Sequence, residues 1–376
     1  MKTAQHTFKN GTWLATKSAP GLKPSLVICF GHKQTLQGPD WYGFLQKTYP
    51  TASIVSASTA GEISNDAISD NTIVATALEF EQVKTVSVKS NIRNSANSLE
   101  AGKSLALQLA TEQLRFVLVL SDGALVNGGD LVTGINATLQ NKIPVGGGLA
   151  GDGADFKSTV VGLNEDLGEG NMVAIGFYGD KLKIGFGSQG GWAEFGPTRT
   201  ITRSEKNVLF EIDGASALDL YKTYLGEYAD KLPGSALLFP LALSDENDNT
   251  VVRTILNVDP EAKSMTFAGN MPEGAKVRLM KTTLDKLSDA ASGAADLSNA
   301  DMNIKGDKLS ILISCVGRKL VFGNRIDEEF EAVRQSLGTE TVITGFYSYG
   351  EISPFDDFLK CQLHNQTMTI TTLGEG

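Results

Sequence analysis

The hydrophobic positions fall into short uninterrupted runs, each followed by an amphipathic stretch and then a second run. Residues 26–30 (LVICF) form the first run and end at Gly31. Trp41, Phe44 and Leu45 then recur at i, i+3 and i+4 before Pro50, and residues 52–58 (ASIVSAS) make the next run. Short apolar runs bounded by Gly and Pro predict buried strands, and the intervening spacing predicts a helix. The order restarts with a helix over residues 99–109, capped by Ser98, a strand at 116–120, a helix at 131–139 and a strand at 143–145 entering GGGLAGDG. It restarts again with a strand at 310–316, a helix marked by Ile326, Phe330, Val333 and Leu337, and a strand at 342–346.

Further segments read as strands around residues 73–80 and 83–88 (as a hairpin), 159–163, 172–178, 182–187, 236–239, 251–258 and 264–267. Residues 215–225 predict a helix at a domain boundary. The Ala- and Ser-rich stretch 285–303 reads as a surface helix followed by a loop, and the alternation over 362–373 as an edge or returning strand. The fold class predicted is α/β: mixed sheets from duplicated strand–helix–strand units with added hairpins, in two similar halves. The division is an arm over 1–24, an N-terminal domain over 25–213 and a C-terminal domain over 214–376.

The first and last units overlay in sequence. Cys29-Phe30-Gly31-His32-Lys33 matches Cys315-Val316-Gly317-Arg318-Lys319, and Gly61-Glu62-Ile63-Ser64 matches Gly350-Glu351-Ile352-Ser353. A looser middle unit carries Ser121-Asp122-Gly123 and Ala150-Gly151-Asp152. Self-similarity in this order is the mark of a repeated unit. An acid beside a Gly at the end of a strand stands at the carboxyl edge of the sheet, where open α/β folds bind ligands. Glu62, Asp152 and Glu351 therefore read either as ligand contacts or as caps of neighbouring turns.

Composition narrows the classes. A net charge of −10 argues against nucleic acid. No apolar run reaches the length of a membrane span, and residues 1–20 lack the apolar core of a signal peptide, so the expected location is the cytoplasm. Three cysteines without CxxC spacing suit a reducing compartment. Enzyme motifs are missing: there is no GxSxG, HExxH or Walker loop, and residues 146–153 are glycine-rich enough to cradle an anion but lack the P-loop Lys.

Several stretches carry a resemblance: SCVGRKLVF (314–322), GFYSYGEISP (345–354), LHNQTMT (363–369), residues 252–274, GGGLAGDG (146–153) and residues 190–214. Through them the chain resembles the FIST family of intracellular sensory domains from about Ser25 to Leu373. The resemblance implies a ligand-sensing protein with N- and C-terminal FIST halves. The sensor fills the whole length, so the expected signal passes to a separate protein. Stand-alone members include a haem-binding, nitric-oxide-sensing group (the NosP type) that works with a histidine kinase or a cyclic-di-GMP enzyme, and the resemblance implies that function for this chain. A homodimer is left open.

Haem iron needs an axial ligand, and the histidines are His6, His32 and His364. His6 lies in the arm. His32 follows Gly31 where the last repeat has Arg318, and reads as an iron ligand or an exposed loop residue. His364 reads as a ligand or as a structural hydrogen-bonding group. Cys29 or Cys315 would offer a thiolate, or else pack in the core. The alternative ligand is a small metabolite such as an amino acid, met by Glu62, Asp152, Arg318, Tyr349 and Glu351. In that set Arg318 would hold a carboxylate, or would instead form an internal Arg–Glu pair.

Overall fold

The computed structural model describes residues 1–244, 250–302, 304, 306–354 and 359–376. Three strand–helix–strand units organise it. They are Leu26–Gly31, Asp40–Thr48 and Ser53–Ser58; Leu114–Ser121, Gly128–Leu139 and Val145–Leu149; and Lys308–Cys315, Asp327–Leu337 and Thr341–Ser348. In each, the two strands pair in parallel. Strands of this kind are covered on both faces, which is why they read as unbroken apolar runs.

On the far side of each first strand lies an antiparallel one: Ile73–Glu79, Asn171–Tyr178 and Met368–Glu375. Outside these come Lys2–Lys9, Lys84–Asn91 and Leu182–Gln189. The result is three mixed sheets whose inner faces share one core, with Leu26, Ile28 and Phe30 meeting Phe116, Leu118, Ile311 and Phe346. Phe30 and Phe346 stack with centroids 4.6 Å apart. Helices cover the outer faces, Asp40–Thr48 through Trp41 and Leu45 on the first sheet. Ser98–Leu109 and Gly128–Leu139 cover the second, and Leu284–Asn299 and Asp327–Leu337 the third.

After its second strand each unit sends the chain into another unit's sheet. Glu62–Ile63 pairs with Thr341–Ser348, Val161–Leu163 with Ser53–Ser58, and Gly350–Pro354 with Val145–Leu149. The exchange therefore closes a ring. Three equivalent hydrogen bonds seal it: Ala60 N to Tyr347 O at 2.8 Å, Gly151 N to Ser58 O at 2.9 Å, and Tyr349 N to Leu149 O at 3.1 Å. These bonds, with the strand registers Gly31–Ser58, Ser121–Leu149 and Ser314–Tyr347, fix which residues correspond. His32 corresponds to Asp122 and Cys315. The sequence overlay of His32 on Arg318 is displaced by three residues.

Between strand Leu182–Gln189 and helix Leu284–Asn299 the chain builds a separate eight-stranded antiparallel sheet. Its long strand Ala193–Glu205 pairs with Lys276–Lys281 and Val208–Ile212, and helix Ala217–Leu225 packs Leu218, Tyr221 and Leu225 into its core. Pairing in this sheet thus crosses residue 213.

Five local readings change. Residues 73–80 and 83–88 are strands but not a hairpin, because Ile73–Glu79 belongs to the first sheet and Lys84–Asn91 to the second. The Glu375 carboxylate accepts from the amides of Glu81, Gln82 and Val83 and carries the chain across that gap. Residues 146–148 are the strand Val145–Leu149 itself rather than an anion cradle. Gly147, at φ +144°, lies so close to strand Leu114–Ser121 that any Cβ would strike the Val119 backbone. Residues 236–238 fall in the 3-10 turn Gly234–Leu238, and Phe239 caps it, so this segment is not a strand. Helix Leu284–Asn299 buries an alanine face, Ala290, Ala291, Ala294 and Ala295, so it is not a surface helix. Asn97, not Ser98, caps Ser98–Leu109 by accepting from Glu100 N. No helix among the described residues is long and apolar enough to cross a membrane.

Candidate functional site

The carboxyl ends of the unit strands converge where the ring closes, and the predicted acids divide there. Glu62 is buried and accepts from Thr59 Oγ1 (2.5 Å), Thr72 N (3.0 Å) and Thr72 Oγ1 (2.7 Å). Glu351 repeats the pattern with Ser348 Oγ (2.8 Å), Thr367 N (3.2 Å) and Thr367 Oγ1 (2.9 Å). Each acid thus latches a hydroxyl three residues back to the threonine that enters the returning strand. Burial pushes Glu62 up to about 7 and Glu351 up to about 8, against the pull of those hydrogen bonds.

Asp152 behaves differently. It is partly exposed and accepts from Lys157 N (3.0 Å), Ser158 N (2.9 Å) and the Tyr349 hydroxyl. Burial pushes its carboxyl up, but these hydrogen bonds outweigh it and hold the group below its ordinary value. The Tyr349 oxygen in turn accepts from Asp152 N (3.1 Å) and Phe156 N (3.0 Å). Phe156 stacks on Tyr349 with centroids 4.5 Å apart, and does so at φ +52°, a conformation that is an outlier for a bulky side chain. In this middle unit Asp122 takes over the latch, accepting from Gly170 N, Ala124 N and Leu125 N at 2.9, 2.8 and 2.7 Å.

Arg318 is fully buried, with Nε on Glu329 Oε1 (2.7 Å), Nη1 on Gly190 O (2.6 Å) and Nη2 on Leu287 O (2.8 Å). Glu329 Oε2 also accepts from Tyr347 OH at 2.7 Å. This is the internal Arg–Glu pair, tying the helix start to the loop before the inserted sheet. Of the five residues expected to converge on a ligand, Asp152 and Tyr349 meet at one open site, while Glu62, Glu351 and Arg318 are enclosed.

That site borders a cavity of about 420 Å³. One wall is the loop 123–128 leading into helix Gly128–Leu139, with Tyr349, Phe156 and Lys157. The other is Asn207, Leu256 and Phe267–Gly269 of the inserted sheet. Asn127 joins the walls: its Oδ1 caps the helix at Asp130 N (3.0 Å) and its Nδ2 donates to Asn270 Oδ1 (3.1 Å). Asn127, Phe156 and Lys157 escaped the sequence reading. The Asn-Gly-Gly-Asp run after an apolar strand was the available signal, since Asn is a preferred N-cap.

The histidines lie apart. His6 is held by Tyr49 OH (2.8 Å) with Trp13 and Phe44 around its ring. His32 is half-exposed, its Nδ1 3.4 Å from Thr35 Oγ1. His364 is buried, lowered to about 4 by burial, and its Nε2 lies 3.2 Å from Ser353 O. It lines a second cavity of about 470 Å³ with Phe186, Trp192, Val251, Met280 and Leu297. Ser188, Gln189, Thr250 and Thr367 also line this cavity, and His6 and His32 line neither it nor the junction cavity. Cys29 and Cys315 are buried and burial raises both thiols, as befits core side chains. No cluster of three or more His, Cys, Asp or Glu among the described residues is arranged to hold a metal ion.

The molecule is thus a ring of three α/β units with an inserted antiparallel sheet and a cavity where the two meet. Residues 25–215 match the FIST N domain and residues 217–354 the FIST C domain, so the chain belongs to the FIST family, whose domains are signalling sensors. It is also similar to an uncharacterized protein of Methanocaldococcus jannaschii, with 27% identity over 212 residues. That match takes in 50% of this chain and 38% of the archaeal protein.

Proposed function

We propose that this FIST protein senses a small ionised metabolite, an amino acid or a related carboxylate, in the junction cavity. It reports occupancy to a separate signalling enzyme, a histidine kinase or a cyclic-di-GMP enzyme. The observation that carries this reading is the two-sided wall. A ligand touching loop 123–128 and Lys157 on one side and Asn207 and Gly269 on the other alters how ring and inserted sheet sit together. Lys157 supplies charge for a carboxylate, and Leu149, Leu256 and Leu363 face an aliphatic part. A thermal-shift screen of amino acids and short carboxylic acids tests it, since a ligand that prefers the native state raises its stability. A hit should disappear in Lys157→Ala; a screen and calorimetry without any hit would sink the reading.

The His364 cavity favours a second reading, in which haem binds there and responds to nitric oxide. His364 would hold the group and Trp192, Phe186 and Met280 would pack its faces; the bound iron would supply the gas-binding centre. Reconstitution with haem should then give a Soret band that His364→Ala removes and His32→Ala keeps. Absence of the band excludes haem, whichever residue is changed.

A further inference from the structure

A third cavity, of about 680 Å³, opens beside the junction cavity and shares Phe156 and Leu256 with it. Its floor is made by the 3-10 turns Gly226–Lys231 and Gly234–Leu238, strand Ile255–Asp259 and helix Val316–Phe322. Phe156, Tyr228, Leu238, Leu256 and Leu320 all line it, each 37–42% exposed. Single exposed apolar side chains are ordinary, but five on one concave wall mark a binding surface. The volume falls in the range of about 300–1,000 Å³ typical of small-molecule sites.

The polar groups of this wall are few. Ser235 donates its hydroxyl to Tyr228 O at 2.7 Å. Among the described residues Lys231 is the only charged one in the lining, and its ammonium stands 5.8 Å from the Tyr228 ring centroid. Among the described residues no carboxylate lies within ion-pair distance of it. A cation on an aromatic ring at the rim of an apolar groove is placed for an anion whose remainder is hydrophobic.

We propose that this groove binds an amphipathic small molecule, an alkyl or aryl body carrying one carboxylate, with Lys231 holding the acid and Leu238, Leu256 and Leu320 the body. The groove adjoins the junction cavity through the shared Phe156 and Leu256, and its occupancy does not require that cavity's ligand. The shared Phe156 gives it a means of influence, because a body packed against that ring restrains the residue stacked on Tyr349.

Decanoate and 1-decanol, each titrated against the full chain with an anilinonaphthalene sulfonate reporter, test the proposal. Both should displace the reporter saturably. Lys231→Met should weaken decanoate by about tenfold, the size of one lost ion pair in a partly dry site, and leave 1-decanol unchanged. Leu238→Asp and Leu320→Asp, at exposed positions that do not support the core, should each weaken both probes by at least about tenfold. The proposal is overturned if neither probe binds or if decanoate ignores both aspartates. Self-association of the chain that Leu238→Asp abolishes would equally overturn it, by assigning the groove to a protein partner.

Discussion

At Gly61-Glu62 and at Gly350-Glu351 the chain crosses between sheets with its acid turned inward, enclosed by three donors. At Gly151-Asp152 the same short sequence crosses with its acid near solvent, bonded to the loop that borders a cavity. The ring hydrogen bonds explain the contrast. Ala60, Gly151 and Tyr349 are the equivalent donors, so the position of Glu62 and Glu351 is held in the middle unit by Gly153. Asp152 stands one residue earlier. In an extended chain a slip of one residue turns a side chain to the opposite face, here from the closed interior to the open side. The latch that Asp152 leaves undone passes to Asp122 on the neighbouring strand end. A repeated motif therefore need not repeat a role, and the copy that departs from register is the one at the ligand-sized space.

The contrast breaks most directly by deleting one acid from each class. Glu351→Ala strands the Ser348 hydroxyl and both Thr367 donors in a dry interior and should cost about 3 kcal/mol in urea unfolding. Asp152→Ala, whose amide donors reach water, should cost about 1 kcal/mol or less. Equal losses would mean the two turns are built alike.

Asp122→Ala comes next, at about 2 kcal/mol, because it leaves three amides without an acceptor. A loss as small as that of Asp152→Ala would show that Asp122 is not the substitute latch.

The smallest effect is on the pH profile, and it sharpens the comparison instead of breaking it. Glu62 and Glu351, raised to about 7 and about 8, keep protons that the unfolded chain releases near 4.5. Stability from these two groups is therefore fully present at acid pH and declines as pH climbs from about 4.5 to 8. Asp152, held low, works the other way: its contribution is present above its unfolded value near 3.8 and fades as pH falls below it. Melting temperatures of Glu351→Gln measured from pH 5 to 8 should fall less steeply than those of the parent chain. Parallel profiles would mean that Glu351 is ionised throughout.

Much of the ring was legible in sequence because strands buried on both faces are written as unbroken apolar runs, as in residues 26–30 and 116–120. The closure was not, since a two-residue strand such as Glu62–Ile63 carries no record of a partner more than 280 positions away. Ala193–Glu205 was missed because its burial hardly alternates: most of its side chains are at least partly exposed, leaving no period to read. At the site, Asp152 and Tyr349 stood out as loop residues after strands. The three-residue offset of the overlay drew His32 and Arg318 together, although register assigns Arg318 to the first turn of helix Val316–Phe322, bonded inward. Fixing such an offset needs ladder hydrogen bonds, which composition does not record.

Strand Met368–Glu375 has a consequence for the order in which the protein is made. It lies between Lys308–Cys315 and Leu182–Gln189, and the latter touches the third sheet only through it. On a ribosome, Leu182–Gln189 emerges nearly two hundred residues before the segment that completes its ladder. Through that interval its edge stays open to any other extended chain, the condition under which nascent sheets are captured wrongly. Until Met368–Glu375 follows, nothing joins Leu182–Gln189 to Lys308–Cys315 in the third sheet, and escape from misfolding depends on how fast that strand arrives.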